Sequence, residues 1–453
     1  MNASKYDPQL LERHLQGTAT TGSKSGRTEF ERDRDRILYS SAFRALAAKT
    51  QVVSATELGY MHNRLTHSLK VAQVGRAIAS RLQDAGAELD PALVEAACLA
   101  HDIGHPPFGH AGEEALNLAV ERHRRKALGL GPDDALEVAL DGFEGNAQNL
   151  RVLTRLATHR LWEAPGLHLT RATLISATKY PWERGLQGKE ARKWGAYEGD
   201  SAALQWAVEG RPGSATRPIE ADLMDWADDI TYAVHDVEDW FRLGLIPLEK
   251  LFVFRLPPQH EAAGRDQHPE LVRFLDWVFK KWLKEGKYPG VDRESAVVQM
   301  HYLADKISVV DAFHGSKGCK GRLQATVTDL ISFFADETTF EGRAIGYEGK
   351  LHVPDDRRLV CDLLQELVWF YVIERPGLAA QQHGQAKIIE NLVDWVMEDH
   401  GRLLPDDRKA EYDEHHDLTR AVADHVASLT EPMAIKLHGK LSGADLGAIT
   451  DTV

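Results

Sequence analysis

HDIGHPPFGH, residues 101–110, places three histidines and one aspartate within ten residues. Two prolines and two glycines lie between them, and both residue types are unfavourable inside a helix. An apolar run precedes this stretch, and it begins at Asp90-Pro91 with a typical N-cap and first-turn proline. The sequence therefore predicts a buried helix that ends near Asp102, followed by a turn in which imidazole and carboxylate groups are concentrated.

The composition of the chain argues against several classes of protein. Its 453 residues are 43% hydrophobic and 27% charged, so the chain can build a sizeable core and is not disordered by composition. At about 150 residues per domain, the length suggests about three domains, or one large helical unit with insertions. The net charge of −14 argues against general binding to nucleic acid or to anionic membranes.

The cysteines and the apolar segments indicate a cytoplasmic protein. Cys98, Cys319 and Cys361 lie far apart, which is a reduced pattern and neither a disulfide framework nor a zinc cluster. The first ten residues, MNASKYDPQL, lack the apolar segment of a secretory signal. No run approaches the roughly eighteen apolar residues that a membrane span needs. We therefore expect a soluble, cytoplasmic protein.

Helical periodicity and capping residues recur along almost the whole chain, so we expect an all-α fold. Residues 342–353 form the one stretch that favours a β-hairpin, and residues 181–216 are predicted to be an insertion or a long loop. The predicted helices cover residues 29–49, 69–82, 91–102, 112–128, 143–159, 169–177, 218–243, 292–312 and 321–334, and most of the C-terminal region.

A second histidine suited to the 101–110 turn lies on another predicted helix. His67 follows Arg64 by three residues in RLTHSLKVAQVGR, so the two side chains occupy neighbouring positions on one helix surface. A lone pair such as His101-Asp102 is more often a satisfied structural pair than a metal site. Its place at the end of an apolar helix, before a chain-breaking turn, instead favours a position at the rim of the core, where a metal ion binds.

Acidic side chains interrupt the apolar pattern of residues 218–243. Asp228, Tyr232 and Asp236 follow one another at i, i+4 and i+8, so they share a helical face. A solvated acidic face is the alternative, but the apolar residues between them argue against full exposure. Two imidazoles and two carboxylates from three helices form a coherent divalent-metal site. Such ligation suits Mn, Fe, Mg, Zn or Ni and leaves positions for water and substrate.

The order His, His-Asp, Asp is the pattern of the HD superfamily of metal-dependent phosphohydrolases. Within it, the chain closely resembles the bacterial deoxyguanosine triphosphate triphosphohydrolase-like family. The matching stretches span most of the chain, with a weaker one, RAVADHVASLT, at 420–430. They are RDRDRILYSSAFR (32–44), KTQV (49–52), NRLTHSLKVAQVGR (63–76), HDIGHPPFGHAGE (101–113), FEGNAQNLRVL (143–153), TKYPW (178–182) and ADDITYAVHDVED (227–239).

The resemblance implies three regions and one reaction. The regions are an N-terminal helical segment that contributes to the site (1–60), an HD catalytic domain (61–245) and a C-terminal helical region (246–453). The reaction is hydrolysis of a dNTP at the α-phosphorus, with dGTP among the substrates. Its products are a deoxynucleoside and inorganic triphosphate.

The resemblance also assigns a metal and its ligands. The implied ion is Mn²⁺ or Mg²⁺, with Fe, Ni, Zn and Co as alternatives. Asp228 is preferred to Asp229 because the family pattern places the ligand four residues before the tyrosine at position 232. The implied ligands are His67, His101, Asp102 and Asp228.

His110 and Glu113 are the catalytic pair that the resemblance implies, and His105 is expected to reach the α-phosphate. Both members of the pair lie at the start of the predicted helix that begins near His110, whose N-terminal amides are also suited to bind an anion. Which member acts as acid and which as base stays open. The structural alternatives are a helix-capping role for the pair and a loop-stabilising role for His105.

The same matches imply how the sugar and the phosphates are recognised. Gln51 and Asp236 would bind the 3′-OH, and Tyr232 would pack against the deoxyribose and exclude a 2′-OH, because burying an unpaired hydroxyl is unfavourable. Arg64 would contact phosphate or sugar, and Lys179, with Tyr180 beside it, would contact phosphate. Without the resemblance, Gln51 reads as a surface helix residue and Tyr232 as a core aromatic residue.

The resemblance also implies binding partners. They are a dNTP effector, further copies of the chain in a homo-oligomer (hexamer or tetramer) and, weakly, single-stranded nucleic acid, with no membrane contact. Ala45 and Ala48 stand where the family usually has Arg and Gly, which bears on base or effector preference.

Two rival functions are another HD phosphohydrolase, such as a nucleoside monophosphatase or a cyclic-nucleotide or alarmone hydrolase, and a nucleotide-sensing or single-strand-binding protein. The presence of all four ligands disfavours a catalytically inactive protein.

Overall fold

The computed structural model describes residues 6–14, 26–50, 61–132, 134–136, 139–159, 165–210, 217–252, 269–343 and 345–445. Over these ranges the protein consists of eighteen α-helices, short 3₁₀ and π-helical turns and one two-stranded sheet. The fold is therefore all-α with a small β-hairpin, as the sequence predicted. Within the described part of the chain, no helix is both long enough and apolar enough to span a membrane.

The helices follow one another with short connections, and the two strands lie between the thirteenth and fourteenth helices. In chain order the elements are α1 (Glu29–Leu38), α2 (Ser41–Ala45), α3 (Arg64–Asp84), α4 (Pro91–Ala100), α5 (Gly109–Ala127), α6 (Gly145–Arg151), α7 (Arg171–Ser176), α8 (Ser201–Val208), α9 (Ile219–Arg242), α10 (Leu248–Leu251), α11 (Pro269–Glu285), α12 (Arg293–Ala304), α13 (Lys317–Asp336), β1 (Thr339–Gly342), β2 (Gly349–His352), α14 (Asp355–Val368), α15 (Pro376–Glu398), α16 (Asp406–His415), α17 (Leu418–Ser428) and α18 (Glu431–Leu441).

These elements form two compact units. The first unit consists of the described parts of residues 1–225, 341–350 and 380–453, and the second consists of residues 226–340 and 351–379. The first unit therefore contains α1 to α8, the beginning of α9, most of α15 and all of α16 to α18. The predicted division of the chain at residues 60 and 245 stays a prediction.

Capping and apolar periodicity explain the two helices on which the site is built. Asn63 caps α3, because its side chain accepts from the Thr66 amide at 2.9 Å while the Thr66 hydroxyl accepts from the Asn63 amide at 3.0 Å. Asp90 caps α4 by accepting from the Ala92 amide, as the sequence predicted. Val71 and Ile78 lie on the buried face of α3, and α4 is buried over almost its whole length. Burial of each such side chain stabilises the fold by about 1.5–3 kcal/mol.

The C-terminal helices α17 and α18 share a core with α5. Leu116 and Val120 of α5 belong to the same buried cluster as Val422 and Val426 of α17 and Ala434 of α18. This apolar cluster places the last two helices of the chain against the helix that follows the 101–110 turn.

The structure differs from the sequence prediction at Ser40 and within residues 181–216. The predicted helix 29–49 is broken at Ser40, whose hydroxyl accepts from the Phe43 amide at 3.1 Å and so caps a new helix. Residues 181–216, predicted as an insertion or a long loop, contain α8, which buries Ala203, Leu204 and Ala207. Residues 211–216 lie outside the described part of the chain.

Three other stretches also differ from the prediction. The predicted helix 143–159 is α6 followed by a π-helical turn, Val152–Leu156. The predicted helix 292–312 ends at Ala304. The sequence reading missed α11, although its apolar side chains recur at helical spacing. Those that it buries are Leu271, Phe274, Leu275, Val278 and Trp282.

A buried carboxylate joins α1 to α7. Asp33, which is fully buried, accepts from Arg13 at 2.6 Å and from the Thr170 amide and hydroxyl at 2.8 and 2.7 Å. The Thr173 hydroxyl donates to it at 2.8 Å. Removal of the carboxylate would take this acceptor from Thr170 and Thr173, whereas Arg13 would keep its bonds to Glu29 and to the His168 carbonyl.

Asp33→Ala is therefore expected to lower the free energy of unfolding by about 2–4 kcal/mol, because the buried Thr170 amide and the hydroxyls of Thr170 and Thr173 lose their carboxylate acceptor, and each buried group left unsatisfied costs about 1–3 kcal/mol. Urea denaturation followed by circular dichroism measures this change. Asp35→Ala is the matched control on the same helix. It removes ion pairs with the more exposed Arg27 and Arg34 and should cost about 1 kcal/mol or less. Equal losses for the two variants would contradict the role given to Asp33.

Candidate metal and catalytic site

His101 lies at the end of α4 with its tautomer fixed. Its Nδ1 lies 2.6 Å from the carbonyl oxygen of Cys98, three residues earlier on the same helix. A carbonyl oxygen only accepts, so Nδ1 carries the proton and Nε2 carries the lone pair. A histidine whose far nitrogen donates to a backbone carbonyl is oriented as metal-binding histidines usually are.

His67 stands opposite His101. It projects from the first turn of α3 and is buried. The centroids of the two rings lie 5.4 Å apart, and a nitrogen of one ring lies within 4.8 Å of a nitrogen of the other. This spacing and this donor chemistry fit a divalent cation between the two imidazoles.

Asp102 adds a buried carboxylate beside His101. Its Oδ2 accepts from Arg64 Nη1 at 2.6 Å, and its Oδ1 lies 3.7 Å from His101 Nε2 and 3.1 Å from His105 Nδ1. Burial alone would raise the pKa of Asp102. The Arg64 guanidinium and then the neighbouring histidines outweigh burial and hold this pKa well below its usual range. Asp102 is therefore a carboxylate at neutral pH, as a metal ligand must be.

The turn after Asp102 is held by α6. Asn149 accepts from the Gly104 amide at 2.6 Å, and its amide nitrogen donates to the carbonyl of His101. A Cβ at residue 104 would lie 2.4 Å from the Asn149 backbone nitrogen, so only glycine permits this close approach. A Cβ at residue 112 would lie 1.9 Å from the Pro107 oxygen, so Gly112 is required where α5 packs on the turn. Gly104 and Gly112 thus explain part of the unusual composition of the stretch.

His105 and His110 lie near each other on either side of the proline pair, with ring centroids 6.3 Å apart. Burial, followed by repulsion from Arg64, lowers the pKa of His105 to about 3. His110, in the first turn of α5, is exposed to solvent, but the protein packed around its ring partly desolvates it and so lowers its pKa too. Both imidazoles are therefore neutral at pH 7, so each offers one nitrogen that donates and one that accepts.

Glu113, one turn after His110, is bound to two groups from distant parts of the chain. It accepts from the Gly145 amide at 2.9 Å, and Lys193 Nζ lies 3.4 Å from its Oε1. Burial alone would raise the pKa of Glu113. The electrostatic effects of His105, Lys193 and His110 outweigh burial and lower it to about 2. Glu113 is consequently ionised at neutral pH.

Lys193 is a site residue that the sequence reading missed. It lies in the predicted insertion 181–216 and also bonds Glu144 at 2.9 Å, so it bridges two buried carboxylates. The pKa of Glu144 is raised by burial and by Glu113, and that of Lys193 is raised because both carboxylates outweigh the effect of burial. No motif in the sequence signals this contact, because 80 residues separate Lys193 from Glu113.

Asp228, Tyr232 and Asp236 lie on α9, which is continuous from Ile219 to Arg242. Their spacing places them on one face of this helix, as predicted, with Asp236 buried and the other two half-buried. The start of α9 is bonded within the first unit. There Glu220 accepts from the Tyr6 hydroxyl at 2.6 Å.

The other residues predicted to bind substrate are Lys179, Tyr180, Arg64 and Gln51. Lys179 pairs with Asp225 at 2.5 Å, and Tyr180 lies beside it with Lys189 over its ring. Arg64 is buried against Asp102 and is not exposed to solvent. Gln51 lies outside the described residues.

Two family models match the chain. The HD domain matches residues 64–232, which include His67 and the His101-Asp102 pair. The phosphohydrolase-associated domain matches residues 351–440. The first match agrees with the expectation of an HD-type phosphohydrolase. HD domains are metal-dependent hydrolases, in keeping with the donor set at the end of α4.

Curated proteins also match the chain over almost its full length, and three of them carry the name deoxyguanosinetriphosphate triphosphohydrolase-like protein. The protein of Streptomyces coelicolor is 36% identical over 97% of both chains. That of Corynebacterium glutamicum is 35% identical over 93% of this chain and 92% of its own. That of Bifidobacterium longum is 33% identical over 92% and 84%. The chain therefore belongs to the deoxyguanosinetriphosphate triphosphohydrolase-like family and is an HD-domain phosphohydrolase.

Proposed function

We propose that the protein hydrolyses deoxynucleoside triphosphates to a deoxynucleoside and inorganic triphosphate. The observation that carries this proposal is that one turn brings together metal-binding and proton-transferring types of side chain. His101 and Asp102 are suited to bind a cation, and His110 and Glu113 follow at the start of α5. Hydrolysis of a phosphate ester needs both a Lewis acid and a proton carrier. The names of the related proteins support a nucleotide as the substrate.

His67, His101, Asp102 and Asp228 are the proposed ligands of one divalent ion, Mn²⁺ or Mg²⁺. When bound, this ion would polarise a phosphoryl oxygen and orient a water molecule. The fixed tautomer of His101 and the low pKa of Asp102 support the first part of this set. For Asp228 the support is its place on α9, three residues after Asp225, which is bonded to Lys179.

His110 is the proposed proton carrier, and Glu113 is its ionic partner. The lowered pKa of His110 leaves its imidazole neutral and able to take a proton from the attacking water. The ionised Glu113 would stabilise the imidazolium that results. The imidazolium would then give its proton to the 5′-oxygen as the deoxynucleoside leaves. His105, which stays neutral, would donate one N–H to the α-phosphate.

The proposed substrate contacts follow from the charges near this turn. Arg64 donates from Nη1 to the Asp102 carboxylate and from Nε to the Thr50 carbonyl. Its buried Nη2 has no hydrogen-bond partner within the described chain, so this group is suited to bind a phosphate oxygen. Lys179 would exchange Asp225 for a phosphate. Tyr232 would pack on the deoxyribose, and Asp236 and Gln51 would bind its 3′-OH. A dNTP effector, a hexamer or tetramer and weak binding of single-stranded nucleic acid stay part of the proposal.

The first test is the identity of the products. The purified protein is incubated with Mn²⁺ or Mg²⁺ and each dNTP, singly and as a mixture, and the products are separated by anion exchange. We expect deoxynucleoside and intact triphosphate, and hydrolysis that occurs only in the mixture would reveal an effector. Orthophosphate or pyrophosphate would contradict the proposal and favour another HD phosphohydrolase. The absence of turnover under every condition would favour a nucleotide sensor.

The metal ligands are tested without substrate. His101→Gln should weaken Mn²⁺ binding by more than about tenfold, because even the partners of metal ligands contribute about 10–100-fold to affinity. Titration of Mn²⁺ by electron paramagnetic resonance measures the bound fraction. His123→Gln is the control, since His123 pairs with Asp394 away from the turn. Equal affinity in both variants would remove His101 from the ligand set.

Lys193 should set the acid limb of the pH–rate profile. Activity is expected to fall as the pH drops through the pKa of His110, because an imidazolium cannot take a proton from the attacking water. Lys193→Met removes a cation that lowers this pKa, so the pKa rises and the acid limb of kcat/KM should move up by about one to three pH units. Lys189→Met, in the same loop but over the Tyr180 ring, should leave the limb in place. Identical acid limbs for wild type and Lys193→Met would contradict this role.

A further inference from the structure

Lys49 is a buried lysine outside the residues proposed for metal binding and proton transfer. Only 3% of its surface is exposed, and its Nζ donates to the carbonyl oxygens of His105 at 2.6 Å and Ala427 at 2.7 Å. Burial, with repulsion from Arg64, lowers the pKa of Lys49 to about 7. A buried ammonium group is unfavourable unless its hydrogen bonds are made. Lys49 therefore links the turn after His101-Asp102 to the end of α17.

Glu431 makes a second link a few residues away. It is the first residue of α18, it is buried, and its Oε1 accepts from the Phe108 amide at 3.2 Å. The same oxygen accepts from the Thr50 amide at 2.7 Å. The chain on either side of the two prolines is thus bonded to the α17–α18 corner, through the His105 carbonyl on one side and the Phe108 amide on the other.

The turn needs such links because it has few backbone bonds of its own. Pro106 and Pro107 have no N–H to donate. Phe108 has φ +68°, a conformation that residues other than glycine rarely adopt and that persists only when the surroundings hold it. Phe108 immediately precedes α5, so its conformation fixes where that helix begins.

We propose that Lys49 is a positioning residue for catalysis: it holds the His105–Phe108 turn against the α17–α18 corner, and thereby places His105 and His110 for the reaction. The catalytic role in this inference rests on the proposed function, whereas the link between the turn and the corner is independent of any substrate. It also gives a role to the phosphohydrolase-associated region, residues 351–440, which contains Ala427 and Glu431.

A cavity beside Lys49 makes the link testable. The cavity has a volume of about 250 Å³ and is lined in part by Lys49, Gly104, Ala427 and Met433. The turn is therefore not packed solidly on this side, and polar bonds hold it there. The cavity is also large enough to admit a small alkylammonium ion once the lysine side chain is shortened.

The first experiment measures the link in metal-free, substrate-free protein. In Lys49→Met, hydrogen exchange followed by mass spectrometry should show at least tenfold faster exchange in peptides covering residues 104–112, with peptides of α3 unchanged. Met433→Ala alters the same cavity without removing the ammonium group and should leave residues 104–112 as in wild type. Unchanged exchange at 104–112, or a uniform rise along the whole chain, would overturn the proposal.

The second experiment measures catalysis. Lys49→Ala should lower kcat by about a hundredfold with KM changed less than threefold, because the loss concerns positioning in the transition state and not binding. Ethylammonium or propylammonium should restore at least a tenth of the lost activity, whereas propanol should not. A loss confined to KM, or equal effects of amine and alcohol, would overturn the proposal. An inactive wild-type protein would refute the proposed reaction instead, and the exchange experiment would still decide the link.

Discussion

The buried charge of Asp102 is the constraint on which the arrangement of the site depends, because a carboxylate removed from water must be balanced where it lies. Arg64 balances it with a bond of 2.6 Å, and a second bond joins Arg64 to the Thr50 carbonyl at 3.0 Å. Arg64 is the first residue of α3, and His67 follows one turn later. The ion pair therefore fixes the start of α3 against the end of α4, and with it the separation of His67 and His101.

A second set of contacts extends from this ion pair to the rest of the first unit. Asn149 of α6 bonds the backbone on both sides of Asp102, and Gln148, next to it, donates to Asp424 of α17 at 2.9 Å. Gly145, at the start of the same helix, donates to Glu113. The stretch FEGNAQNLRVL thus supports both the His101-Asp102 pair and Glu113. That explains why so many of its residues are polar and yet buried.

Local features were predictable from the sequence because local bonds produce them. Asp90 and Pro91 began a helix as expected, and the apolar spacing of residues 218–243 gave α9 almost to its boundaries. The end of α4 was recognisable for the same reason, since the glycines and prolines that follow His101 cannot continue a helix.

Contacts between distant residues were not predictable in this way. The expected helix is broken at Ser40 because the Ser40 hydroxyl accepts from the Phe43 amide. Such a bond between a side chain and the backbone competes with the helix, and apolar periodicity does not reveal it. Lys193 reaches Glu113 from a stretch with little pattern, and the bond from Arg64 to Asp102 joins residues 38 positions apart. Long-range ion pairs of this kind depend on tertiary packing, which leaves no periodic trace in the sequence.

The two oxygens of Asp102 have different neighbours, and this difference accounts for the choice of arginine at position 64. Oδ2 is taken by Arg64, whereas Oδ1 faces the imidazoles of His101 and His105. One oxygen is thus engaged in charge balance while the other lies beside the two imidazoles. The planar guanidinium supplies separate donors for Asp102 and for the Thr50 carbonyl. A lysine ammonium is a compact point charge without this fixed fork. It would not hold both acceptors at these positions, and the orientation of the carboxylate would be lost with the second bond.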